Sequence, residues 1–240
     1  MLLILRLIIT IFYCFLVCFF GILYCLFSPF NPKNAVIFSH LFGRLSMLFG
    51  LKIKTRIPTE LKNNKNYIYI SNHQNNYDMI TVANIMPPYT ITVGKKDILW
   101  IPFFGILYWI SGNILIHRKN YTKIRKIISF LIKKCKNEHI SIWIFPEGTR
   151  NCGRGLMPFK TGAFYIAISA GIPIVPICAS TTTGKIHLNR WNNGKAIIEM
   201  MPPIDTKQYN KKNARELAKY CHKIMKEKII QLDIEVNKFN

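Results

Sequence analysis

Acid is scarce in this chain. Among 240 residues there are 11 Asp and Glu against 33 Lys and Arg, a formal net charge of +22. No cluster of metal ligands stands out, and the seven cysteines form neither a C-x-x-C pair nor a zinc spacing. Isolated thiols of this kind fit a reducing compartment. No G-x-S-x-G elbow occurs and no Cys is placed as a nucleophile, which argues against an enzyme attacking with its own side chain. Internal repeats are absent. The lysines are scattered without a nucleic-acid-binding motif, so nucleic acid is not an expected partner.

Charge is also missing from one long stretch. Leu7 to Phe27 carries none, and about 20 apolar residues suffice to cross a hydrocarbon core. A cleaved signal peptide is the competing reading, but its apolar region is normally shorter and no small-x-small site precedes Pro29. Ser28-Pro29-Phe30-Asn31-Pro32 breaks the run. Ala35 to Leu51 then places apolar residues at helical spacing around His40, Arg44 and Ser46, an amphipathic pattern. Two arrangements remain open: a helical hairpin dipping into one leaflet, or one span followed by an interfacial helix. Lys33, Arg44, Lys52, Lys54 and Arg56 follow the apolar segment and only Arg6 precedes it, which points the rest of the chain to the cytoplasmic side. The basic surface also suits anionic headgroups.

The expected organisation is an N-terminal pair of membrane-associated helices over residues 1–56 and one domain over 57–240. Within the latter, strand and helix signals alternate. Strands are expected at 67–71, 89–93, 114–116, 140–145, 172–179 and 196–200, and helices at 78–86, 97–109, 121–136, 162–170 and 214–236. This pattern predicts an α/β fold with a mostly parallel sheet flanked by helices and an N-terminal apolar helical anchor. Pro176, inside the strand Ile174-Val175-Pro176-Ile177, implies an edge or a bulge.

Four segments carry chemistry. Asn72-His73-Gln74-Asn75-Asn76-Tyr77-Asp78 follows the first β run, so His73 and Asp78 sit where a strand turns into a helix. His73 can serve as general base and Asp78 can fix its tautomer, although a capped turn would use the same residues. Without a nucleophile of its own, such a pair suggests that a substrate hydroxyl attacks. Phe145-Pro146-Glu147-Gly148-Thr149-Arg150 brings an acid, a flexible Gly, a hydroxyl and a guanidinium into one loop, with Arg150 suited to phosphate. Gly112 to Arg118 ends a short strand on a cation, and Val175-Pro176-Ile177 is read as pocket shaping.

Taken in order, these blocks resemble the bacterial 1-acyl-sn-glycerol-3-phosphate acyltransferases, the PlsC family of H-x4-D glycerolipid acyltransferases. The similarity covers roughly residues 60 to 235. It implies transfer of a fatty acyl group from acyl-carrier protein or acyl-CoA to the 2-hydroxyl of lysophosphatidic acid, giving phosphatidic acid for phospholipid biosynthesis. Carried over by position, His73 would deprotonate that hydroxyl and Asp78 would orient the imidazolium. Arg118, Glu147, Gly148, Thr149 and Arg150 would bind the glycerol phosphate, with Lys96 and Lys160 assisting at the acyl carbonyl or the phosphate. The resemblance implies no metal and no cofactor beyond the thioester co-substrate, and a site on the cytoplasmic face of the bacterial inner membrane. One position departs: the family usually has Ile-Asp-Arg where this chain has Ile116-His117-Arg118. Alternative readings are acylation of another lysolipid or of glycerol 3-phosphate, and a non-enzymatic basic membrane-binding protein.

Overall fold

The computed structural model describes residues 1–62, 65–117 and 121–238. From the N-terminus the chain forms α1 (Leu2–Leu26), α2 (Pro32–Gly43), the single turn α3 (Leu45–Leu48) and strand β1 (Lys52–Arg56). Next come β2 (Ile68–Ser71), α4 (Asp78–Thr81), β3 (Thr90–Lys95), α5 (Phe104–Ile110), β4 (Ile114–Ile116), α6 (Tyr121–Glu138) and β5 (Ser141–Ile144). The chain closes with α7 (Gly162–Ala170), β6 (Ile174–Ala179), β7 (Lys195–Met200) and α8 (Ala214–Lys238).

The strands make one seven-stranded sheet in the order β1-β7-β6-β2-β5-β3-β4, parallel throughout except between β6 and β7. The central strands are buried on both faces, as strands covered on both sides by helices must be. Ile68, Ile70 and Ile142 meet α6, α7 and α8 in one core, whereas Tyr67, Tyr69, Trp143, Val175 and Ile177 face the α2 and Val82–Ile85 side. The expected α/β architecture is therefore the observed one.

One expectation needs revision and another is narrowed. β1 was assigned to the N-terminal segment, yet it pairs in parallel with β7 from Lys52 to Arg56, so the sheet starts before residue 57. Its short sequence, KIKTR, has a single apolar residue and no buried one, so it carries no strand signal. Pro176 lies in an interior strand, not at an edge. Its carbonyl accepts from Met201 N, and beyond it the antiparallel pairing resumes one residue out of step, Ile174 opposite Ile204 after Ile177 opposite Met200. The bulge alternative therefore holds, and the missing N–H falls at that irregularity.

α2 begins where the sequence dictates: Asn31 caps it by accepting from Lys33 N at 3.0 Å, and Pro32 occupies the first turn. α1 is held along its length. Its lone cation, Arg6, is buried, and its guanidinium donates to the carbonyls of Leu188 (2.9 Å), Arg190 and Trp191 (3.2 Å). Toward the other end Gly21 packs against Phe38 and Leu107, and Cys18 and Cys25 are buried in the same cluster. The remaining faces of α1 expose Ile4, Ile8, Ile11, Phe12, Phe15 and Phe20, among others.

Candidate active site

β2 and β5 are neighbours in the middle of the sheet, and their carboxyl ends release the two loops that build the site. Ligands of open parallel sheets bind at such ends, where no backbone partner remains to fill the crevice. The side chain of Asn72 exchanges two hydrogen bonds with the backbone of Ala179, each 2.9 Å, tying the first loop to the end of β6. His73 follows. Its Nδ1 lies 2.6 Å from Asp78 Oδ2, and the same oxygen accepts the backbone N–H of Gln74 at 2.7 Å. Because a carboxylate only accepts, Nδ1 must carry the hydrogen, which leaves the Nε2 lone pair on the far side of the ring as base. The imidazole stacks on Phe145, with ring centroids 4.1 Å apart and planes 20° apart. One oxygen of Asp78 and one ring thus fix both the tautomer and the orientation.

The second loop is stitched to the first. Glu147, buried at 3% exposure, accepts the N–H of His73 on Oε1 (2.6 Å) and that of Met157 on Oε2 (2.9 Å). Asn151 N donates to His73 O (2.8 Å), and Cys152 N donates to Gln74 O (2.9 Å). Burial pushes the Glu147 carboxyl above its ordinary value, opposed by the two backbone donors. Glu147 was expected to bind the glycerol phosphate. Each of its oxygens takes one backbone donor and keeps a further lone pair, so Glu147 braces the loop that carries His73 and still has acceptor capacity.

The other expected residues separate into two groups. Gly148 has φ +71°, a left-handed backbone, and a Cβ there would lie 2.8 Å from Lys160 Nζ. Lys160 therefore stands beside the loop, and its own N–H donates to Pro146 O at 2.8 Å. Thr149 and Arg150 are exposed at the loop's tip, open to an anion. Lys96 is elsewhere. It lines a cavity of about 700 Å³ between the Phe30 turn, the β3–β4 end and α6, with Leu99, Trp109, Phe130 and Lys134. Arg118 lies outside the described residues. His117, the departure in that block, is exposed and contributes to lowering the Asp97 carboxyl, chiefly a Lys95 effect.

Sequence reasoning missed Phe145 as the ring under His73, since nothing local signals a stack across 72 residues of chain. It also missed Gln74, whose buried amide bonds Ser180 O (2.8 Å) and Thr182 N (2.8 Å). Asp233 of α8 secures the same loop by accepting from Thr181 N and Oγ1, both at 2.6 Å.

The sequence and the fold have counterparts. The protein-family model described as Acyltransferase matches residues 52–180, more than half of the chain. The chain belongs to the acyltransferase family. This acyltransferase is 60% identical to the 1-acyl-sn-glycerol-3-phosphate acyltransferase of Escherichia coli (strain K12) over 236 residues, 98% of this chain and 96% of that one. It is 52% identical to the protein of the same name from Haemophilus influenzae across the whole of both chains. The crystal structure of the 1-acyl-sn-glycerophosphate (LPA) acyltransferase, PlsC, from Thermotoga maritima shares its fold, with a TM-score of 0.74 at 22% identity, covering 97% of this chain and 98% of that one. The mostly parallel sheet with an N-terminal apolar helix is thus the fold of the acyltransferase as well as of that neighbour.

Proposed function

We propose that the enzyme is a 1-acyl-sn-glycerol-3-phosphate O-acyltransferase, moving a fatty acyl group from acyl-carrier protein or acyl-CoA to the sn-2 hydroxyl of lysophosphatidic acid. The observation that carries this reading is the His73 Nδ1–Asp78 Oδ2 pair at 2.6 Å, in a chain 52–60% identical to proteins of that name. His73 Nε2 removes the hydroxyl proton, and the alkoxide oxygen forms a bond to the thioester carbonyl carbon. The tetrahedral intermediate collapses, the C–S bond breaks, and the imidazolium returns its proton to the departing thiolate. Asp78 stabilises the imidazolium while it exists. Arg150, Lys160 and Arg118 are the cations proposed to hold the phosphate, and the thioester itself supplies the activation, so no metal or cofactor is called for.

The proposed location is the cytoplasmic face of the bacterial inner membrane. α1 is 25 residues long and apolar, and of its residues only Arg6, Cys18, Gly21 and Cys25 are buried. Attachment near both ends favours the arrangement in which it lies along the domain with its outer face in one leaflet. The +22 charge suits the anionic lipids of that leaflet.

The test is acyl transfer to lysophosphatidic acid in membranes carrying wild type or His73→Ala. Phosphatidic acid from the wild type and a loss of about a hundredfold or more in the variant support the reading. Equal activity in both removes the general base. A competition series across lysolipid headgroups and glycerol 3-phosphate tests the acceptor, and indifference to the phosphomonoester rejects it.

A further inference from the structure

Apolar exposure is not confined to α1. The run Leu99-Trp100-Ile101-Pro102-Phe103 is exposed at every residue, and Ile106 and Trp109 of α5 extend it. Trp100 is 86% exposed, the largest value among the tryptophans. This surface continues that of α1: Phe103 meets Phe15 edge-on with centroids 5.4 Å apart, and Trp109 meets Phe30 at 5.0 Å. An apolar patch of this extent on a water-facing surface marks an interaction site.

The segment is rigidly displayed. Gly105 lets the Lys96–Trp100 turn lie on α5, since a Cβ there would come within 2.5 Å of Ile98 O and 2.6 Å of Leu99 Cα. Ile101 N donates to Ile98 O, and Gly105 N to Ile101 O. Phe103 and Phe30 both have a positive φ of +59°, and Tyr89 has one of +51°. For bulky residues that conformation costs about 1–2 kcal/mol each. All three keep rings half-exposed, and Lys33 lies over the Tyr89 ring at 5.5 Å. Three of the five non-glycine positive-φ residues among those described thus sit at turns that hold an aromatic ring partly outward.

We propose that Leu99–Trp109 is a second membrane-inserting element, seated in the same leaflet as α1, with Trp100 at headgroup level. A bilayer is the occupant that fits. The patch is continuous with the α1 face, Lys96 lines the cavity beside Leu99 and Trp109, and tryptophan prefers the interface between headgroup and acyl chain. Leu99, Trp109 and Phe30 also line the 700 Å³ cavity, so its mouth opens where lipid chains lie. The inference rests on the reading of α1 as a membrane anchor.

The experiment uses the full chain with Trp109→Phe and Trp191→Phe, which leaves Trp100 and the core residue Trp143 as emitters. Vesicles of phosphatidylethanolamine and phosphatidylglycerol, with or without brominated acyl chains, are the probe. Expected are co-sedimentation with vesicles, quenching of Trp100 by bromolipid, and loss of its quenching by aqueous iodide. Trp100→Ser with Ile106→Ser in the wild-type background should lower vesicle partitioning about tenfold or more while preserving the circular dichroism spectrum. If the chain co-sediments but Trp100 stays open to iodide, this inference fails and the α1 anchor stands. If the chain does not co-sediment, both fail. Shielding of Trp100 that follows protein concentration and ignores bromolipid assigns the patch to a second copy and overturns the proposal.

Discussion

The carboxylate of Glu147 holds the backbone N–H of His73 at 2.6 Å, joining the loops that follow two adjacent parallel strands. The catalytic base is therefore positioned through its main chain by one loop and through its ring by Asp78 and Phe145.

Glu147→Gln should lower kcat more than it raises KM for the lysolipid. The amide retains one acceptor but presents its NH2 to a second backbone donor. The conflict should cost about 1–3 kcal/mol of stability, read from denaturant midpoints. A large KM effect with an unchanged kcat would instead make Glu147 a substrate ligand.

The pH dependence of that difference has a definite sign. Burial raises the Glu147 carboxyl in the folded state, so the folded protein holds its proton more tightly than the unfolded chain. The associated stabilisation is complete below the ordinary glutamate pKa and is lost as pH rises through the folded value. Wild type should thus gain on Glu147→Gln as pH falls from neutral into the acid range, measured by unfolding at several pH values. A gap that narrows on acidification contradicts this.

Asp78→Asn should leave the fold intact and reduce kcat by about a hundredfold or more, through a wrong tautomer at His73. An asparagine amide donates as well as accepts, so it can hold Nδ1 unprotonated and put the hydrogen on Nε2. Steady-state kinetics with saturating lysolipid separates this from binding.

Gly148→Ala should raise KM for the acceptor and lower stability by about 1–2 kcal/mol, because φ +71° disfavours a Cβ and Lys160 occupies the space it needs. Arg150→Ala should raise KM without a comparable loss of stability, since the side chain is exposed. Equal loss of stability in both would place Arg150 in the framework of the loop.

Arg6→Leu removes the donor to three carbonyls of the 188–191 turn. Hydrogen exchange should accelerate in that turn and in the first turns of α1, with a stability loss of about 2 kcal/mol or more from the unpaired buried groups. Unchanged exchange there would show the contact to be dispensable.

The sequence by itself determined most of the architecture and the catalytic pair. Hydrophobic period located β2, β5 and α6 within a few residues, because central strands and amphipathic helices write their burial into local pattern. His73 and Asp78 were legible for the same reason: five residues apart across one turn, they meet through local geometry. β1 was not, since a polar edge strand owes its form to β7. Only tertiary structure showed the bracing contacts of Glu147, whose partners at His73 and Met157 come from two other parts of the chain. It likewise put Phe145 under the imidazole and laid α1 against the domain through Arg6. Those outcomes depend on which loops the sheet order brings together, and strand order is a long-range property that no local pattern encodes.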